Sequence, residues 1–389
     1  MPLNRATSAE INLDAFRYNL RIIKSLVGLN TETMAIIKAD AYGHGAVQCA
    51  RAAIEEGTKY LGVGIIQEGI ELRESGITSP ILILGGVYPD ELTELIYYNL
   101  STSLSTLALA KAISKEAEQS KKNISVHIKI DTGMGRLGVQ CEDFSDLLEH
   151  VIGYKNITIE GFFTHLANAD DVDPKISQEQ IVKFSNILKV IKTKKFSKLH
   201  NSNKPILIHS ANSAGLLRYP ESRFNLVRPG ISLYGSFPSP VLKPVLDMIK
   251  NNNYPALRPV MSWKTKIIQV QTLRKGVPLS YGGSYITKKN KSRIAILPVG
   301  YADGLNRRLS NKMEFLVKGM RVKQIGTICM DMCLIDVTEL PNVDMGEEVV
   351  ILGSQGKDNI PIEELAAKAE TIPYEIFCGI SKRVPRVYV

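Results

Sequence analysis

Short apolar runs alternate with longer amphipathic stretches between about residues 30 and 235. Runs of this length predict buried strands, and the stretches between them, with apolar residues at helical spacing, predict helices. The runs lie at 33–38, 61–65, 81–85, 100–105, 124–130, 157–163, 205–210 and 225–233. Eight strands separated by helices predict an α/β fold of the (β/α)8 TIM barrel type.

The pattern changes after residue 235. From about residue 260 the chain consists of β-type runs separated by turn residues such as Gly276, Gly319 and Gly346, which predicts an all-β domain. We expect one helix at 362–370 and strand character in the terminal segment 372–389. The predicted domains are a (β/α)8 barrel over 1–240 and a mostly β C-terminal domain over 241–389.

Composition narrows the functional classes. The chain has 389 residues, 44% of them hydrophobic, and a net charge of +9. Its basic runs at 192–198 and 288–293 lack interleaved aromatic residues, so we expect solvated loops and no nucleic-acid or membrane partner. No apolar stretch has the length of a signal peptide or membrane span, which predicts a cytoplasmic protein. Cys329 and Cys333 lack further ligands nearby, so we expect no metal.

Reactive side chains follow several of the predicted barrel strands. Because the active site of a TIM barrel lies at the C-terminal ends of its strands, we expect these side chains to converge on one mouth. They are Lys38 after the first strand, Asp131 and Arg136 after the fifth, His165 after the sixth, His209, Asn212 and Ser213 after the seventh, and Arg228 on the eighth.

The loops after the last two strands are the usual phosphate site of such barrels. Here they supply the Ser213 hydroxyl and the backbone N–H groups of Gly230 and Ile231. A phosphate site beside Lys38 indicates a phosphorylated cofactor with an aldehyde, which a desolvated lysine binds as a Schiff base. Taken singly, a lysine such as Lys38 is more often a surface lysine than a Schiff-base lysine, and His165 and His209 could equally be histidines of a polar barrel mouth.

Nine segments of the chain resemble the alanine racemases, and they follow one another in that family's order. The resemblance extends over essentially the full length. The segments are IIKADAYGHGA (36–46), VHIKIDTGMGRLGV, FFTHLANAD, HSANSAG, NLVRPGISLYG, SYGGSY, LPVGYADG, ICMDMC and IPYEIFCGISKRVPRVY.

The resemblance implies a pyridoxal 5'-phosphate-dependent isomerase that interconverts L-alanine and D-alanine and supplies D-alanine for peptidoglycan. Lys38 would carry the cofactor and act as one catalytic base, and Tyr281 would act as the other. Arg136, Met330 and Asp331 would bind substrate, and Lys129 would be carbamylated. The protein would form a homodimer with shared active sites, in which Tyr281 reaches the partner's barrel. The cofactor-binding residues would be Lys38, Tyr42, His165, Ser213, Arg228, Gly230, Ile231 and Tyr374.

Two features depart from the family pattern, and several related functions compete. Asp40 stands where the family usually has Asn, and the segment 238–259 is longer than usual between the domains. An ornithine or diaminopimelate decarboxylase would need an acidic residue in place of Arg228. A non-catalytic cofactor carrier would lack the β domain with Tyr281. A serine or lysine racemase and a barrel that has lost its chemistry remain open.

Overall fold

The computed structural model describes residues 5–193, 195–196, 199, 205–237, 239 and 256–389. The predicted domain boundary near residue 240 and most of the segment 238–259 lie outside these residues. Ahead of the barrel lies strand β1 (Ser8–Ile11). The strands of the first domain are β2 (Glu32–Ile36), β3 (Tyr60–Val63), β4 (Ile81–Ile83), β5 (Ser101–Leu104), β6 (Ile124–Asp131), β7 (Val139–Gln140), β8 (Ile157–Phe163), β9 (Leu207–His209) and β10 (Leu226–Val227).

Each of the eight apolar runs forms a strand, and the predicted barrel is confirmed. The strands pair in parallel in the order β10, β2, β3, β4, β5, β6, β8 and β9. Between β9 and β10 the Asn225 side chain bridges the gap, since it accepts from the N–H of Ile208 at 2.6 Å and donates to the carbonyl of Ile206 at 2.8 Å. The N–H of Arg228 donates to the Ala211 carbonyl at 2.9 Å and extends this closure.

Most of the helices cover the outside of the barrel with their apolar faces. In the longest of them Ile181, Phe184 and Ile187 are buried at helical spacing against the strands. The helices are α1 (Leu13–Val27), α2 (Lys38–Gly43), α3 (Ala46–Glu55), α4 (Ile66–Glu74), α5 (Leu92–Tyr97), α6 (Leu107–Gln119), α7 (Phe144–Gly153), α8 (Lys175–Ile191) and α9 (Ser213–Arg218).

The second domain is built mainly of antiparallel strands, as the sequence predicts. They are β11 (Met261–Lys266), β12 (Gln269–Leu273), β13 (Pro278–Leu279), β14 (Tyr285–Ile286), β15 (Ser292–Leu297), β16 (Glu314–Val317), β17 (Met320–Ile325), β18 (Cys333–Asp336), β19 (Glu348–Gln355), β20 (Asp358–Ile360) and β21 (Arg386–Tyr388). Helix α10 (Ile362–Ala369) matches the predicted helix at 362–370.

Two elements differ from the predictions. The segment expected to be strand begins as helix α11 (Pro373–Gly379), because Pro373 at its start is preset for a helical turn. Strand β1, at the start of the predicted barrel domain, pairs with β11 and β21 of the second domain. Of the described helices, none is both long enough and apolar enough to cross a membrane.

Candidate active site

A cavity of about 450 Å³ lies at the C-terminal ends of the barrel strands. It brings together most of the residues that the sequence singles out, including residues from α11 of the second domain. Its walls are formed by Ile36, Lys38, Tyr42, Gly64, Leu84, Gly85, Lys129, Arg136, Leu137, Phe163, His165, Asn212, Ser213, Arg228, Gly230, Ile231 and Tyr374.

Lys38 follows β2 and opens a backbone turn that L-residues rarely adopt. The four residues after it, from Ala39 to Tyr42, all have φ between 52° and 54°. A left-handed conformation costs roughly 1–2 kcal/mol per non-glycine residue, so the surrounding structure must hold this turn in place. The turn aims Lys38 and Tyr42 into the same cavity.

Two carboxylates hold this turn. Glu68 accepts from the N–H of Ala39 at 2.6 Å and from the N–H of Gly64 at 2.7 Å. Asp40 Oδ1 accepts from the N–H of Ala46, the first residue of α3, at 2.7 Å. The Asp40 side chain therefore acts as a hydrogen-bond acceptor at this position, and the side-chain oxygen of an asparagine would accept the same bond.

The second domain closes over the turn. Gly43 and Gly45 have φ of 77° and 98°. A Cβ atom on Gly43 would lie 2.4 Å from the Phe377 carbonyl oxygen, and one on Gly45 would lie 1.9 Å from the Tyr388 hydroxyl. Arg386 donates from Nε to the Gly43 carbonyl at 2.9 Å. These glycines therefore serve close packing between the domains as well as the turn.

The amine of Lys38 opens onto the cavity, yet the surrounding protein desolvates it. This burial, followed by the positive charge of Arg136, lowers the pKa of Lys38 below its usual range. Glu68 and Cys378 act in the opposite direction. A lysine with a lowered pKa is more often neutral at pH 7, and only the neutral amine can act as a nucleophile or accept a proton.

Ser213, Gly230 and Tyr42 meet at one wall of the cavity. The Ser213 hydroxyl accepts from the N–H of Gly230 at 2.9 Å and lies 3.0 Å from the Ser232 hydroxyl. A Cβ atom on Gly230 would lie 2.5 Å from the Tyr42 hydroxyl, so only glycine fits there. The Tyr42 ring packs on Tyr374 of α11 with centroids 5.7 Å apart. This cradle, defined by Tyr42, Ser213, Gly230, Ile231 and Tyr374, has the hydroxyl and backbone groups that suit a phosphate.

Arg228 lies at the floor of the cavity, and its side chain is almost fully buried. Nη1 donates to Nδ1 of His209 at 2.7 Å, and Nη2 donates to the Thr164 carbonyl at 2.8 Å. Nη2 also lies 3.4 Å from Nδ1 of His165. Burial lowers the pKa of Arg228 to about 9. Burial and the charge of Arg228 hold the pKa values of His165 and His209 well below the usual range, so both rings are neutral at pH 7.

The cavity is cationic. Lys38, Lys129, Arg136 and Arg228 face it, and none of the described residues that line it is a carboxylate. Burial, followed by the charges of Arg136 and Arg228, lowers the pKa of Lys129 to about 8. This arrangement suits an anionic ligand, since positive groups with no internal counter-charge attract one.

Tyr281, Met330 and Asp331 do not line this cavity. Tyr281 is 72% exposed and Met330 is 52% exposed, while Asp331 pairs with Arg383 at 2.8 Å. The two segments that carry them lie together, because the Thr327 hydroxyl donates to the Tyr281 carbonyl at 3.2 Å. A single chain thus gathers the predicted cofactor residues, Arg136 and Lys129, and leaves this second group on its surface.

Several lining or supporting residues were not expected from the sequence. Glu68 lies on α4, where nothing in the helical pattern distinguishes it from a solvated carboxylate. Phe163 is the last residue of β8, and its ring stacks on His209 with centroids 4.8 Å apart. Its position just before His165, at a strand end, is the signal that could have indicated it.

Fold and cavity together define a barrel enzyme whose cationic pocket joins a reactive amine to a phosphate cradle. Residues 11–238 match the model of the alanine racemase N-terminal domain, and residues 260–388 match that of the alanine racemase C-terminal domain. The chain belongs to the alanine racemase family.

Individual relatives agree with this assignment over nearly their whole length. The alanine racemase of Halothermothrix orenii is 42% identical over 386 residues, which span 99% of this chain and 97% of that protein. The crystal structure of alanine racemase from Streptomyces lavendulae matches with a TM-score of 0.90 and 33% identity, covering 99% and 97% of the two chains. That of Bacillus anthracis alanine racemase with bound L-Ala-P matches with a TM-score of 0.89 and 34% identity, covering 100% and 96%.

Proposed function

We propose that this protein interconverts L-alanine and D-alanine with pyridoxal 5'-phosphate bound in the barrel cavity. The observation that carries the proposal is the conjunction, in one cationic cavity, of Lys38 with a lowered pKa and the cradle in which Gly230 faces the Tyr42 hydroxyl. The relatives' activity, and the L-Ala-P bound to one of them, support alanine as the substrate. The product D-alanine would serve bacterial peptidoglycan.

The residues present fit this cofactor. Lys38 would hold it covalently, and the cradle would hold its phosphate. Arg228 would face the pyridine nitrogen, with His165 beside its guanidinium. Because an arginine side chain has only donors, it would require an unprotonated nitrogen as acceptor. When bound, the cofactor would withdraw electron density from the α-carbon of the substrate.

Racemisation needs two groups that act on opposite faces of the α-carbon. One group must remove the α-proton from one face, and the other must deliver a proton to the opposite face. Lys38 would act on one face through Nζ, and its lowered pKa favours the neutral amine that accepts a proton. Tyr281 would act on the other face through its phenol oxygen.

Arg136 would bind the substrate carboxylate and stabilise negative charge on the phenol oxygen of Tyr281. Its guanidinium lines the cavity and has no hydrogen bond or ion pair to another described residue. Lys129, whose pKa of about 8 makes the neutral amine accessible, would react with carbon dioxide, and the resulting carbamate would hold Arg136 in place. Met330 and Asp331 would complete the substrate pocket.

A homodimer would bring the two groups of residues together. Tyr281, Met330 and Asp331 lie outside their own chain's cavity, on a surface that also exposes Tyr301 and Met332. An exposed apolar surface of this kind is typical of a subunit interface. In a two-fold dimer the surface of each chain would cover the cavity of the other, so that each active site contains residues from both.

The test is the loss of optical activity of L-alanine incubated with the purified protein and pyridoxal 5'-phosphate, with L-serine and L-lysine in parallel. We expect alanine to racemise fastest. Tyr281→Phe should lower the rate by about 10²- to 10⁴-fold, the usual contribution of a positioned acid or base. Lys38→Ala should abolish the visible absorbance of the bound cofactor. An unchanged alanine signal would overturn the substrate assignment, and wild-type turnover of Tyr281→Phe would overturn the two-base assignment.

A further inference from the structure

A row of hydrogen-bonding side chains runs through the barrel interior from Arg228 to its opposite end. Beyond Arg228 and His209, Nε2 of His209 lies 2.9 Å from Nδ1 of His127 on β6. Nε2 of His127 lies 3.8 Å from a carboxylate oxygen of Glu160 on β8. Both histidines are buried. The Ser101 hydroxyl, at the N-terminal end of β5, donates to Glu160 at 3.3 Å, which places Glu160 at the end of the barrel away from the cavity.

The strands are shaped to make this row possible. The pairing of β6 with β8 shifts register after Val126, which pairs with Ile159, whereas His127 pairs with Gly161. Glu160 is therefore the extra residue of a bulge, a device that re-aims a side chain. A Cβ atom on Gly161 would lie 2.5 Å from Nδ1 of His127, so the ring occupies space that any other residue would fill.

The direction of the hydrogen bonds follows from Arg228 alone. An arginine can only donate, so Nδ1 of His209 must be the acceptor and the proton of this neutral ring must lie on Nε2. That Nε2–H donates to Nδ1 of His127, which places the proton of the second ring on Nε2, facing Glu160. The reverse direction would need a proton on Nδ1 of His209, and that proton would face the Arg228 guanidinium, which is itself a donor.

Among the residues that the structure describes, Arg228 has no counter-charge in the cavity. The titratable groups that line the cavity with it are Lys38, Tyr42, Lys129, Arg136, His165 and Tyr374, none of which is a carboxylate, and the His209 ring to which it donates is neutral. A buried charge is costly unless it is paired. Glu160 is the carboxylate to which the row leads, and although burial acts to raise its pKa, the neighbouring side chains of His127, Ser125 and Ser101 hold that pKa below the usual value.

We infer that His209, His127 and Glu160 form a directional relay that positions Arg228 and provides its counter-charge from the opposite end of the barrel. Glu160 and His127 are then positioning residues, which act on the reaction through Arg228. The inference rests on the proposed function only for the role that Arg228 has at the cofactor nitrogen.

The first test uses the cofactor-free wild-type protein and so needs no racemase activity. The protein has six histidines, and their ¹⁵N signals can be assigned by replacing them one at a time. We expect His127 and His209 both to carry the proton on Nε2 at about pH 8. A proton on Nδ1 of either ring would overturn the relay.

The second test separates the charge of Glu160 from its hydrogen bond. Glu160→Gln keeps a side-chain oxygen that can face His127 and removes the charge, and Glu179→Gln, on the exposed face of α8, removes a charge elsewhere. We expect the Arg228 Cζ carbon, followed by ¹³C NMR, to titrate about half a pH unit lower in Glu160→Gln, which is about a threefold change in the ratio of charged to neutral arginine. If Arg228 titrated at the same pH in Glu160→Gln as in Glu179→Gln, the role of Glu160 as its counter-charge would be overturned.

These outcomes are independent of the racemase assay. The expected tautomers in a protein that does not racemise alanine would keep the relay and overturn the proposed function. A proton on Nδ1 of His127 in an active racemase would overturn the relay alone.

Discussion

Asp40 Oδ1 accepts a hydrogen bond from the N–H of Ala46 at 2.7 Å and so joins the turn after Lys38 to the start of α3. The residue that departs from the family pattern therefore makes a contact that depends on an oxygen acceptor. Asp40→Asn should leave the free energy of unfolding within about 0.5 kcal/mol of wild type, whereas Asp40→Ala should lower it by about 1 kcal/mol. Urea unfolding measures both. If Asp40→Asn lowered the free energy of unfolding as much as Asp40→Ala does, the contribution of Asp40 would depend on its charge and not on its acceptor oxygen.

Gly230 faces the Tyr42 hydroxyl, and a methyl group there would lie 2.5 Å from it. Gly230→Ala should weaken binding of pyridoxal 5'-phosphate by about tenfold to a hundredfold, because overpacking costs about 1–3 kcal/mol. Equilibrium dialysis measures the affinity. Gly153→Ala, where a methyl group meets open space, is the matched control. Tyr42→Phe should recover part of the loss in the double variant, and wild-type affinity of Gly230→Ala would refute the cradle.

Lys129 should make the stability of the cofactor-free protein depend on pH. Its pKa in the folded state is about 8 against 10.5 for a lysine free in water, so between these values the unfolded chain binds the extra proton and stability rises with pH. In Lys129→Met the amine that binds this proton is absent from both the folded and the unfolded chain. We therefore expect the variant to be more stable than wild type near pH 7, and this advantage to shrink as the pH rises through that interval.

Urea unfolding in bicarbonate-free buffer at several pH values measures this difference. Added bicarbonate should stabilise the wild type and leave Lys129→Met unchanged if the amine is carbamylated. A constant difference between the two proteins at all pH values would show that Lys129 does not titrate in this interval.

Lys38 and Tyr281 should complement each other in a mixed dimer. Lys38→Ala and Tyr281→Phe homodimers are each expected to be inactive, but a heterodimer would contain one site with both native residues. Random exchange of subunits gives about half heterodimers with one intact site of two, or about a quarter of wild-type activity. The recovery is measured after mixing and denaturant-assisted exchange. No recovery in a mixture shown to contain heterodimers would mean that both residues act within one chain.

The barrel could be predicted from the sequence because eight short runs rich in apolar residues alternate with amphipathic stretches. This alternation is typical of parallel strands joined by helices, and each run became a strand of the barrel. Lys38 ends such a run, His165 follows one and Arg228 lies on one, so their convergence on one cavity followed from strand direction alone.

Other parts of the site depend on relationships that a linear pattern does not contain. The position of Glu160 depends on a register shift between β6 and β8. Glu68 is selected by the unusual turn at Ala39 to Tyr42, whose residues carry no glycine to indicate it. Tyr281 lies on the surface of its own chain, and its assignment came from the resemblance and not from the periodicity.

The pairing of β1 with both β11 and β21 makes the barrel an insertion within the β domain. Ala9, near the start of the chain, pairs with Arg386, near its end. The ribosome therefore releases the whole barrel before the sheet that begins with β1 can be completed. Contacts of such long sequence separation form slowly. Strand β21 also lies against the loop that follows Lys38, so the chain would acquire its complete catalytic pocket only after β21 has emerged.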